Sequence, residues 1–201
     1  MEEFVIKEAE RKTRMKCGVI LMRAQPMHLG HLDVIKKASA ENEKVLVFVG
    51  SANKSGTQRN PLDINDRLYF VRNVVEAEEL SNVVVSPLND WSKEDAYSLA
   101  KEWGRFFYYN AVNILGSKIF TFYYNDNAEI AKNWFDDDLK ERVSIVNGPK
   151  ERDISATRVR EAILNNESDF LKTVVPRIVW ENLEYIKRSL KNCNKEDFIM
   201  E

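Results

Sequence analysis

Residues 17–31 read CGVILM-RAQPM-HLGH, and they establish the class of the fold. The first six form a nearly continuous apolar run between polar neighbours, which predicts a strand that is buried on both faces. From Leu29 onward, the apolar residues Leu29, Leu32, Ile35 and Ala38 recur every three positions with charged residues between them. That spacing predicts a helix with one buried face, so this segment reads as strand, turn and helix.

The same alternation continues along the rest of the chain. Apolar runs predict four more strands, at residues 45–49, 83–85, 119–123 and 143–146. Amphipathic spacing predicts further helices at residues 64–76, 92–108, 128–135, 155–164 and 176–190. Repeated strand–helix units indicate an α/β fold, a Rossmann-like open parallel sheet with helices on both faces and closing C-terminal helices. We expect one domain over residues 17–192, with an N-terminal extension at 1–16 and a tail at 193–201.

The composition is that of an ordinary globular protein, with 44% hydrophobic and 31% charged residues. The net charge of −2 argues against nucleic acid or an anionic membrane as a partner and favours a small ligand. No apolar run approaches the roughly 20 residues that span a bilayer, and the charged start Met1-Glu2-Glu3 is unlike a secretory signal. We therefore expect a cytoplasmic protein. Its oligomeric state stays open, a homo-oligomer included.

The only two histidines, His28 and His31, stand three apart across Gly30, where the first strand passes into the first helix. The carboxyl ends of parallel strands form the ligand crevice of such a sheet, and a helix that starts there offers unpaired N–H groups. Gly30 lets the chain approach a ligand closely, and the imidazoles add donors for a phosphoryl group in transfer. Arg23 supplies a fixed cation and a fork for phosphate oxygens.

Other roles for these residues stay open. Two histidines at this spacing can bind a metal, but no cysteine–histidine cluster completes a site, so no metal ligand is predicted. They can also be core or capping residues, and Arg23 can be a surface ion-pair residue. The acidic run at residues 136–138 is better explained as a solvated helix end than as a metal site.

A second phosphate motif lies late in the chain, at residues 154–160, which read ISATRVR. Ser155 can cap a helix and present its hydroxyl beside free N–H groups, while Arg160 projects near the same end. The alternative is that Ser155 and Thr157 are only caps, and that Arg158 and Arg160 are solvated helix charges.

Residues 23–31 resemble the G-R-F-Q-P-x-H-x-G-H opening of nicotinamide mononucleotide (NMN) adenylyltransferases, specifically the archaeal-type branch of the HxGH nucleotidyltransferase superfamily. Residues 154–160 resemble the I-S-x-T-x-x-R signature of the same family, and parts of residues 50–67 resemble its G-S-A, R-(D/N)-P-F-T and (G/D)-E-R segments. The chain departs from the family at Met22, where the family has glycine, and at Ala24, where it has phenylalanine. Near Ala24 we expect a wider or differently packed pocket.

This resemblance implies an enzyme that transfers the adenylyl group of ATP to NMN and yields NAD and pyrophosphate. ATP, NMN and NAD are then its partners, and Mg²⁺ is the cofactor that accompanies the triphosphate. By the same resemblance, the catalytic residues are His28, His31, Arg23 and Arg160. The residues expected to bind the phosphates of ATP are Gly30, Arg59, Ile154, Ser155 and Thr157.

The acceptor is less clearly encoded. In the archaeal-type enzymes, an asparagine and a tryptophan after the third strand recognise the nicotinamide ring, and residues 87–90 line up with the start of that segment. The counterparts here are Glu94 and Tyr97, and a carboxylate cannot donate a hydrogen bond to a carboxamide oxygen. Tyr97, Trp91 or Trp103 can stack on a flat base, or each can be a core aromatic.

Three further residues complete the expected substrate site. Ser51 and Asp90 are expected to contact the substrate in the cleft, and Asn125 stands where related enzymes place an adenosine-binding turn. Two alternatives remain. One is a sister transferase that uses CTP, or whose acceptor is nicotinate mononucleotide, FMN or phosphopantetheine. The other is a non-catalytic module that senses ATP or NAD.

Overall fold

The structure is a computed structural model that describes residues 15–90, 100–124, 128–149 and 152–193. Its centre is a five-stranded parallel sheet in the order β3-β2-β1-β4-β5. The strands are β1 (Cys17–Met22), β2 (Lys44–Val49), β3 (Val83–Pro87), β4 (Phe120–Tyr124) and β5 (Val143–Asn147). This order confirms the predicted Rossmann-like sheet and puts β1 at its centre.

Helices cover both faces of the sheet, as predicted. In chain order they are α1 (Leu29–Glu41), α2 (Ile64–Ala77), α3 (Ala100–Leu115), α4 (Ala128–Lys132), α5 (Asp137–Lys140), α6 (Ala156–Asn165), α7 (Ser168–Val174), α8 (Arg177–Glu181) and α9 (Leu183–Lys191). Helices α1, α2 and α6 to α9 pack on one face, and α3 to α5 pack on the other. Within the described residues, no helix is both long and apolar enough to cross a membrane.

The side chains of β1 explain why both faces are covered. Successive residues of a strand point to opposite sides, and here Val19 belongs to one buried cluster and Ile20 to the other. Both are at most 1% exposed. Cys17 is buried as well, which confirms its expected place in the core.

Several helix boundaries were predicted wrongly. α3 extends to Leu115 instead of ending at residue 108, because Ala111 and Leu115 continue its buried face. Residues 92–99 of the predicted helix lie outside the described residues. The predicted helix at 128–135 ends at Lys132, and the short helix at Asp137–Lys140 was not predicted. The helix predicted at 176–190 is interrupted at Asn182, where the backbone leaves the helical region with φ of −111° and ψ of 15°.

Helix α7 was not predicted. It follows directly on α6, which ends at Asn166 in the left-handed conformation, with φ of 59°. Asparagine tolerates this conformation better than most residues, and the Glu167 N–H closes the turn by donating to the Ala162 carbonyl at 3.0 Å. A polar stretch that resembles a loop is therefore a tight link between two helices.

The carboxyl ends of β1, β2 and β3 are joined through their main chains. The N–H of Gly50 donates to the Met22 carbonyl at 2.8 Å, and the N–H of Leu88 donates to the Val49 carbonyl at 3.0 Å. The N–H of Ala52 then donates to the Leu88 carbonyl at 3.0 Å. The segments that follow these strands therefore form one continuous rim, where the sheet is expected to bind its ligand.

Candidate active site

The two histidines form a compact pair at the start of α1. Their ring centroids are 3.7 Å apart and the rings are inclined by 26°. The main-chain N–H of His28 donates to Nδ1 of His31 at 3.2 Å. A ring nitrogen that accepts a hydrogen bond carries no proton, so the proton of neutral His31 is on Nε2, where it can be donated.

Burial keeps both imidazoles neutral. It lowers the pKa of His28 to about 4. Burial also lowers the pKa of His31 well below its usual value, and the charge of His28 lowers it further. At neutral pH the pair therefore consists of hydrogen-bonding groups rather than cations. Nδ1 of His28 is buried and lacks a hydrogen-bond partner among the described residues, which is unusual for a buried polar atom outside a functional site.

Gly30 makes room for this arrangement. A Cβ built on Gly30 would lie 3.2 Å from both Nδ1 and Cε1 of His28. It would also lie 4.0 Å from the main-chain oxygen of Ile154, which belongs to the second motif. The missing side chain therefore lets the His28 ring lie against the helix start, with the second motif close beside it.

The second motif starts α6 as predicted. Ser155 caps the helix, because its Oγ accepts from the N–H of Arg158 at 3.1 Å. Arg160 turns toward the first motif, where its Nη1 donates to the main-chain oxygen of Gln25 at 2.8 Å. Its Nη2 donates to Oγ1 of Thr157 at 3.1 Å. The two predicted phosphate motifs therefore meet, and Arg160 is part of the contact.

The guanidinium of Arg160 lies within electrostatic range of Arg23 and Arg59. The pKa of Arg160 is lowered mainly by burial, and also by the positive charges of Arg23 and Arg59. Arg23 and Arg59 are exposed, while Arg160 is partly buried. A concentration of like charge at the edge of a sheet favours binding of a highly charged anion. The structure thus brings together the three arginines that were predicted to bind phosphate.

Arg158 has a different role from Arg160. Both of its terminal nitrogens donate to the carboxylate of Glu167, and its guanidinium lies 4.4 Å above the ring of Phe170. These contacts tie α6 to α7. Arg158 is therefore engaged in packing, although it lies inside the phosphate motif.

Gln25 is a site residue that sequence reasoning missed. Its buried amide accepts from the N–H of Leu62 at 3.0 Å and donates to the carbonyl of Leu62 at 2.9 Å. These two bonds attach the loop that contains Arg59 to the turn before the histidines. The signal was present, because glutamine occupies the same place in the family's opening motif.

Arg67 is the second residue that was missed. It lies in α2, its side chain is 0% exposed, and all five of its N–H groups have acceptors. The acceptors are the main-chain carbonyl oxygens of Asp63 (3.2 Å), Arg23 (3.1 Å), Gly50 (2.6 Å), Ser51 (3.0 Å) and Lys54 (3.5 Å). Burial lowers the pKa of Arg67, and the carboxylates of Asp63 and Asp90 act in the opposite direction. The arginine thus connects the rim segments that follow β1 and β2 to the start of its own helix.

Ser51 and Asp90, both predicted to contact substrate, lie together on the rim. Oγ of Ser51 donates to Oδ1 of Asp90 at 3.2 Å, and Nζ of Lys54 lies 2.8 Å from Oδ2 of the same carboxylate. The backbone of Ser51 is left-handed, with φ of 49°. This conformation is uncommon for a residue other than glycine and is found most often at functional sites.

The aromatic candidates divide into two groups. Trp91 and Tyr97, together with Asn125, lie outside the described residues. Trp103 is partly buried: its ring centroid is 6.2 Å from that of Trp134, and it packs against the cluster that α3 buries. It therefore packs at the edge of the core, which is closer to the second of its two expected roles.

The two departures from the family motif meet in the core. Met22 and Ala24 are buried in the same hydrophobic cluster, at 6% and 1% exposure. A methionine in place of glycine adds volume, and an alanine in place of phenylalanine removes it. The expected difference at Ala24 is therefore a difference in core packing.

Comparison with known proteins agrees with this geometry. The family model described as cytidylyltransferase-like matches residues 23–162, which begin at Arg23 and include both motifs. The chain belongs to this family. Membership in the cytidylyltransferase-like family confirms the superfamily that the histidine motif indicated.

Two archaeal relatives are similar over the shorter stretches that align. The nicotinamide-nucleotide adenylyltransferase of Thermoplasma volcanium is 31% identical over 80 residues, which are 40% of this chain and 45% of the relative. The enzyme of the same name from Aeropyrum pernix is 38% identical over 79 residues, 39% of this chain and 40% of the relative. The aligned part thus spans less than half the length of these curated relatives.

A solved structure confirms the cytidylyltransferase-like fold at greater coverage. The bifunctional NMN adenylyltransferase/ADP ribose pyrophosphatase of Francisella tularensis, complexed with AMP and a manganese ion, superposes with a TM-score of 0.68. The match covers 88% of this chain and 52% of that one at 16% identity. At that identity the likeness concerns the fold alone.

Proposed function

We propose that this chain transfers the adenylyl group of ATP to the 5′-phosphate of NMN, with NAD and pyrophosphate as products. The observation that carries the proposal is the hydrogen bond from Arg160 to Gln25, because it joins the start of α6 to the histidine turn. Two neutral imidazoles then lie beside Arg160, whose pKa is lowered by the charges of Arg23 and Arg59. The names of the archaeal relatives agree with this activity.

The reaction needs no covalent enzyme intermediate. A phosphate oxygen of NMN forms a bond to the α-phosphorus of ATP, and the bond from that phosphorus to the bridging oxygen of the β-phosphate breaks. Pyrophosphate leaves with the electron pair. Because the attacking phosphate is already ionised, it requires no general base, and the enzyme contributes orientation and charge stabilisation.

Each group of the site then has a role. Arg23, Arg59 and Arg160 bind the phosphates as cations. Nε2 of His31 donates to a non-bridging oxygen of the α-phosphoryl group as negative charge shifts during transfer, and His28 supports it from the adjacent ring. Ser155 and Thr157, with Ile154 before them, form the helix start that receives the β- and γ-phosphates of the leaving group.

Mg²⁺ binds together with ATP, as MgATP. Among the residues that the structure describes, no group of three acidic, histidine or cysteine side chains is suited to hold a metal ion. Mg²⁺ at a triphosphate is commonly held by phosphate oxygens and water, with few protein ligands.

The chemistry of Glu94 favours NMN over nicotinate mononucleotide as acceptor. Glu94 stands where the archaeal-type family has an asparagine that recognises nicotinamide. Glu94 lies outside the described residues, and the proposal rests on its chemistry: a carboxylate accepts hydrogen bonds from a carboxamide NH₂ and repels another carboxylate. We place Ser51 and Asp90 on this acceptor side, with Trp91, Tyr97 and Asn125 as further substrate contacts.

The test is an acceptor panel with the purified full chain. Pyrophosphate release would be followed with MgATP and, in separate reactions, NMN, nicotinate mononucleotide, FMN and phosphopantetheine, and the NMN reaction would be repeated with MgCTP. We expect NAD, identified by mass, from ATP and NMN, with a lower kcat/KM for nicotinate mononucleotide. Turnover only with another acceptor or with CTP would contradict the proposed substrates. Nucleotide binding without any turnover would make the chain a sensing module instead.

A further inference from the structure

One buried side chain, that of Arg67, contacts two segments of the rim and the start of its own helix. Arg23 follows β1, residues 50–54 follow β2, and Asp63 precedes α2. The main-chain carbonyls of all three accept hydrogen bonds from the guanidinium of Arg67. We propose that Arg67 is a positioning residue that fixes Arg23 and Ser51 relative to each other. This inference rests on the proposed function for the roles of those two residues.

The backbone that Arg67 holds is strained. Ala24 and Ser51 both adopt left-handed conformations, with φ of 51° and 49°, although neither is glycine. Such residues keep this conformation only where their surroundings impose it. Arg67 donates to the carbonyl of Arg23, directly before Ala24, and to the carbonyls of Gly50 and Ser51. The hydrogen bonds are therefore formed at the two places where the main chain must be held.

The geometry requires arginine rather than any cation. A guanidinium presents five N–H donors in a planar fork, and all five are used here. Lysine carries three donors on a flexible stem, so it leaves at least two of the five carbonyls without this partner. We therefore expect Arg67→Lys to preserve the charge and the fold, but to release part of the rim.

The positive charge of Arg67 also remains available to the site. Its five hydrogen bonds end on neutral carbonyl oxygens rather than on a carboxylate. The charge therefore adds to that of Arg23, Arg59 and Arg160, with part of it offset by the carboxylates of Asp63 and Asp90. Arg67→Lys retains this contribution, so that variant isolates the effect of positioning.

The experiment compares Arg67→Lys with Arg72→Lys, a control on the same helix. Arg72 is exposed and its single described hydrogen bond, to the Val85 carbonyl, is 3.4 Å long. Kinetic constants would be normalised to the folded fraction from thermal melting, and the Kd for MgATP would be measured by calorimetry. For Arg67→Lys we expect kcat to fall about 10- to 100-fold and the Kd to rise about tenfold, since small displacements of positioning groups are costly. Arg72→Lys should retain the wild-type values.

A second variant separates positioning from general stability. Ala24→Gly gives the strained residue free access to its left-handed conformation, so it should restore part of the lost kcat when combined with Arg67→Lys. Alone, it should leave kcat unchanged. If Arg67→Lys by itself does not fold, the double variant is compared with Ala24→Gly, with losses of kcat and MgATP affinity in the same direction but smaller than those given above.

The outcomes distinguish this inference from the proposed function. If Arg67→Lys melts earlier but keeps wild-type kcat and Kd per folded molecule, Arg67 is only structural and the inference is overturned. If the wild-type chain turns over none of the acceptors, the proposed function fails, and the MgATP Kd still decides the role of Arg67. A tenfold weaker affinity supports positioning in that case, and an unchanged affinity overturns it.

Discussion

The guanidinium of Arg160 donates a 2.8 Å hydrogen bond to the main-chain oxygen of Gln25, which lies 135 residues earlier in the sequence. Gln25 in turn holds the loop of Arg59 through two hydrogen bonds to Leu62. The hydrogen bond from Arg160 in the second motif therefore connects to the first motif at Gln25 and, through Gln25, to the loop of Arg59. The two motifs and this loop are linked into one site. This arrangement predicts that Arg160 and its neighbour Arg158 differ sharply in function.

Arg160→Lys should raise the KM for MgATP about 10- to 100-fold. The lysine keeps a positive charge but loses the fork that contacts both Gln25 and Thr157, and a hydrogen bond from a charged group contributes about 1.5 to 3 kcal/mol. Steady-state kinetics at saturating NMN would measure the change.

Arg158→Lys is the matched control, because it changes the same residue type two positions away. Its contacts are with Glu167 and Phe170, so we expect kcat and KM within about twofold of wild type. Equal losses for the two variants would contradict the distinction drawn from their contacts.

Gly104→Ala should destabilise the fold without any direct effect on the site. Alanine normally stabilises a helix relative to glycine by up to about 1 kcal/mol. At this position, however, the added Cβ would lie 1.7 Å from the main-chain oxygen of Trp134, where backbone has to move. We expect a loss of about 3 kcal/mol in the free energy of unfolding, measured by urea denaturation.

The control for Gly104→Ala is Asn113→Ala, an exposed change on the same helix. It should leave the free energy of unfolding unchanged or slightly higher, because alanine has the better helix propensity. If Gly104→Ala were as stable as Asn113→Ala, the close packing of α3 against residue 134 would be wrong.

Stability should fall as the pH falls below about 6.5, because His28 is buried in its neutral form. Its pKa is near 6.5 when unfolded and about 4 when folded, so the unfolded state binds a proton first. The free energy of unfolding therefore decreases as the pH falls from about 6.5 to about 4. Between pH 7.5 and 5, His28 alone should lower it by about 2 kcal/mol.

The measurement is the difference in the free energy of unfolding between those two pH values, for wild type and for His28→Gln. Glutamine does not titrate, so the difference should shrink by about the His28 contribution. An equal pH dependence in both proteins would show that His28 is not buried in the neutral form. Because His31 also has a lowered pKa, part of the dependence should persist in the variant.

The fold was largely predictable because its strands carry a simple signal. β1 and β2 are apolar on both faces, and parallel strands alternating with helices leave few arrangements. Two of the errors lie where the backbone of an asparagine leaves the helical region. Asn166 is left-handed, with φ of 59°, and Asn182 has φ of −111°, and neither departure alters the apolar spacing.

Only part of the candidate site was predictable from the sequence. Residues that offer their own chemistry, such as His31 and Arg160, could be recognised by type and spacing. Gln25 was signalled only by its place in the family's opening motif, and the role of Arg67 depends on main-chain carbonyls from distant segments that only the folded structure brings together. The buried Arg67 would have been assigned to a solvated helix surface by its residue type alone.

The most direct test of the site is His31→Ala. The variant removes the Nε2 donor, and the loss of one donor to a transition state lowers turnover by about 10²- to 10³-fold. It also removes the acceptor for the His28 N–H, so the folded fraction should be checked by melting before rates are compared. His31→Gln is the control, because an amide can present a donor near the former Nε2 position, and it should retain at least about tenfold more activity than His31→Ala. If a folded His31→Ala protein turned over at the wild-type rate, His31 would have no role in the chemistry. The proposed charge stabilisation would then rest on the arginines.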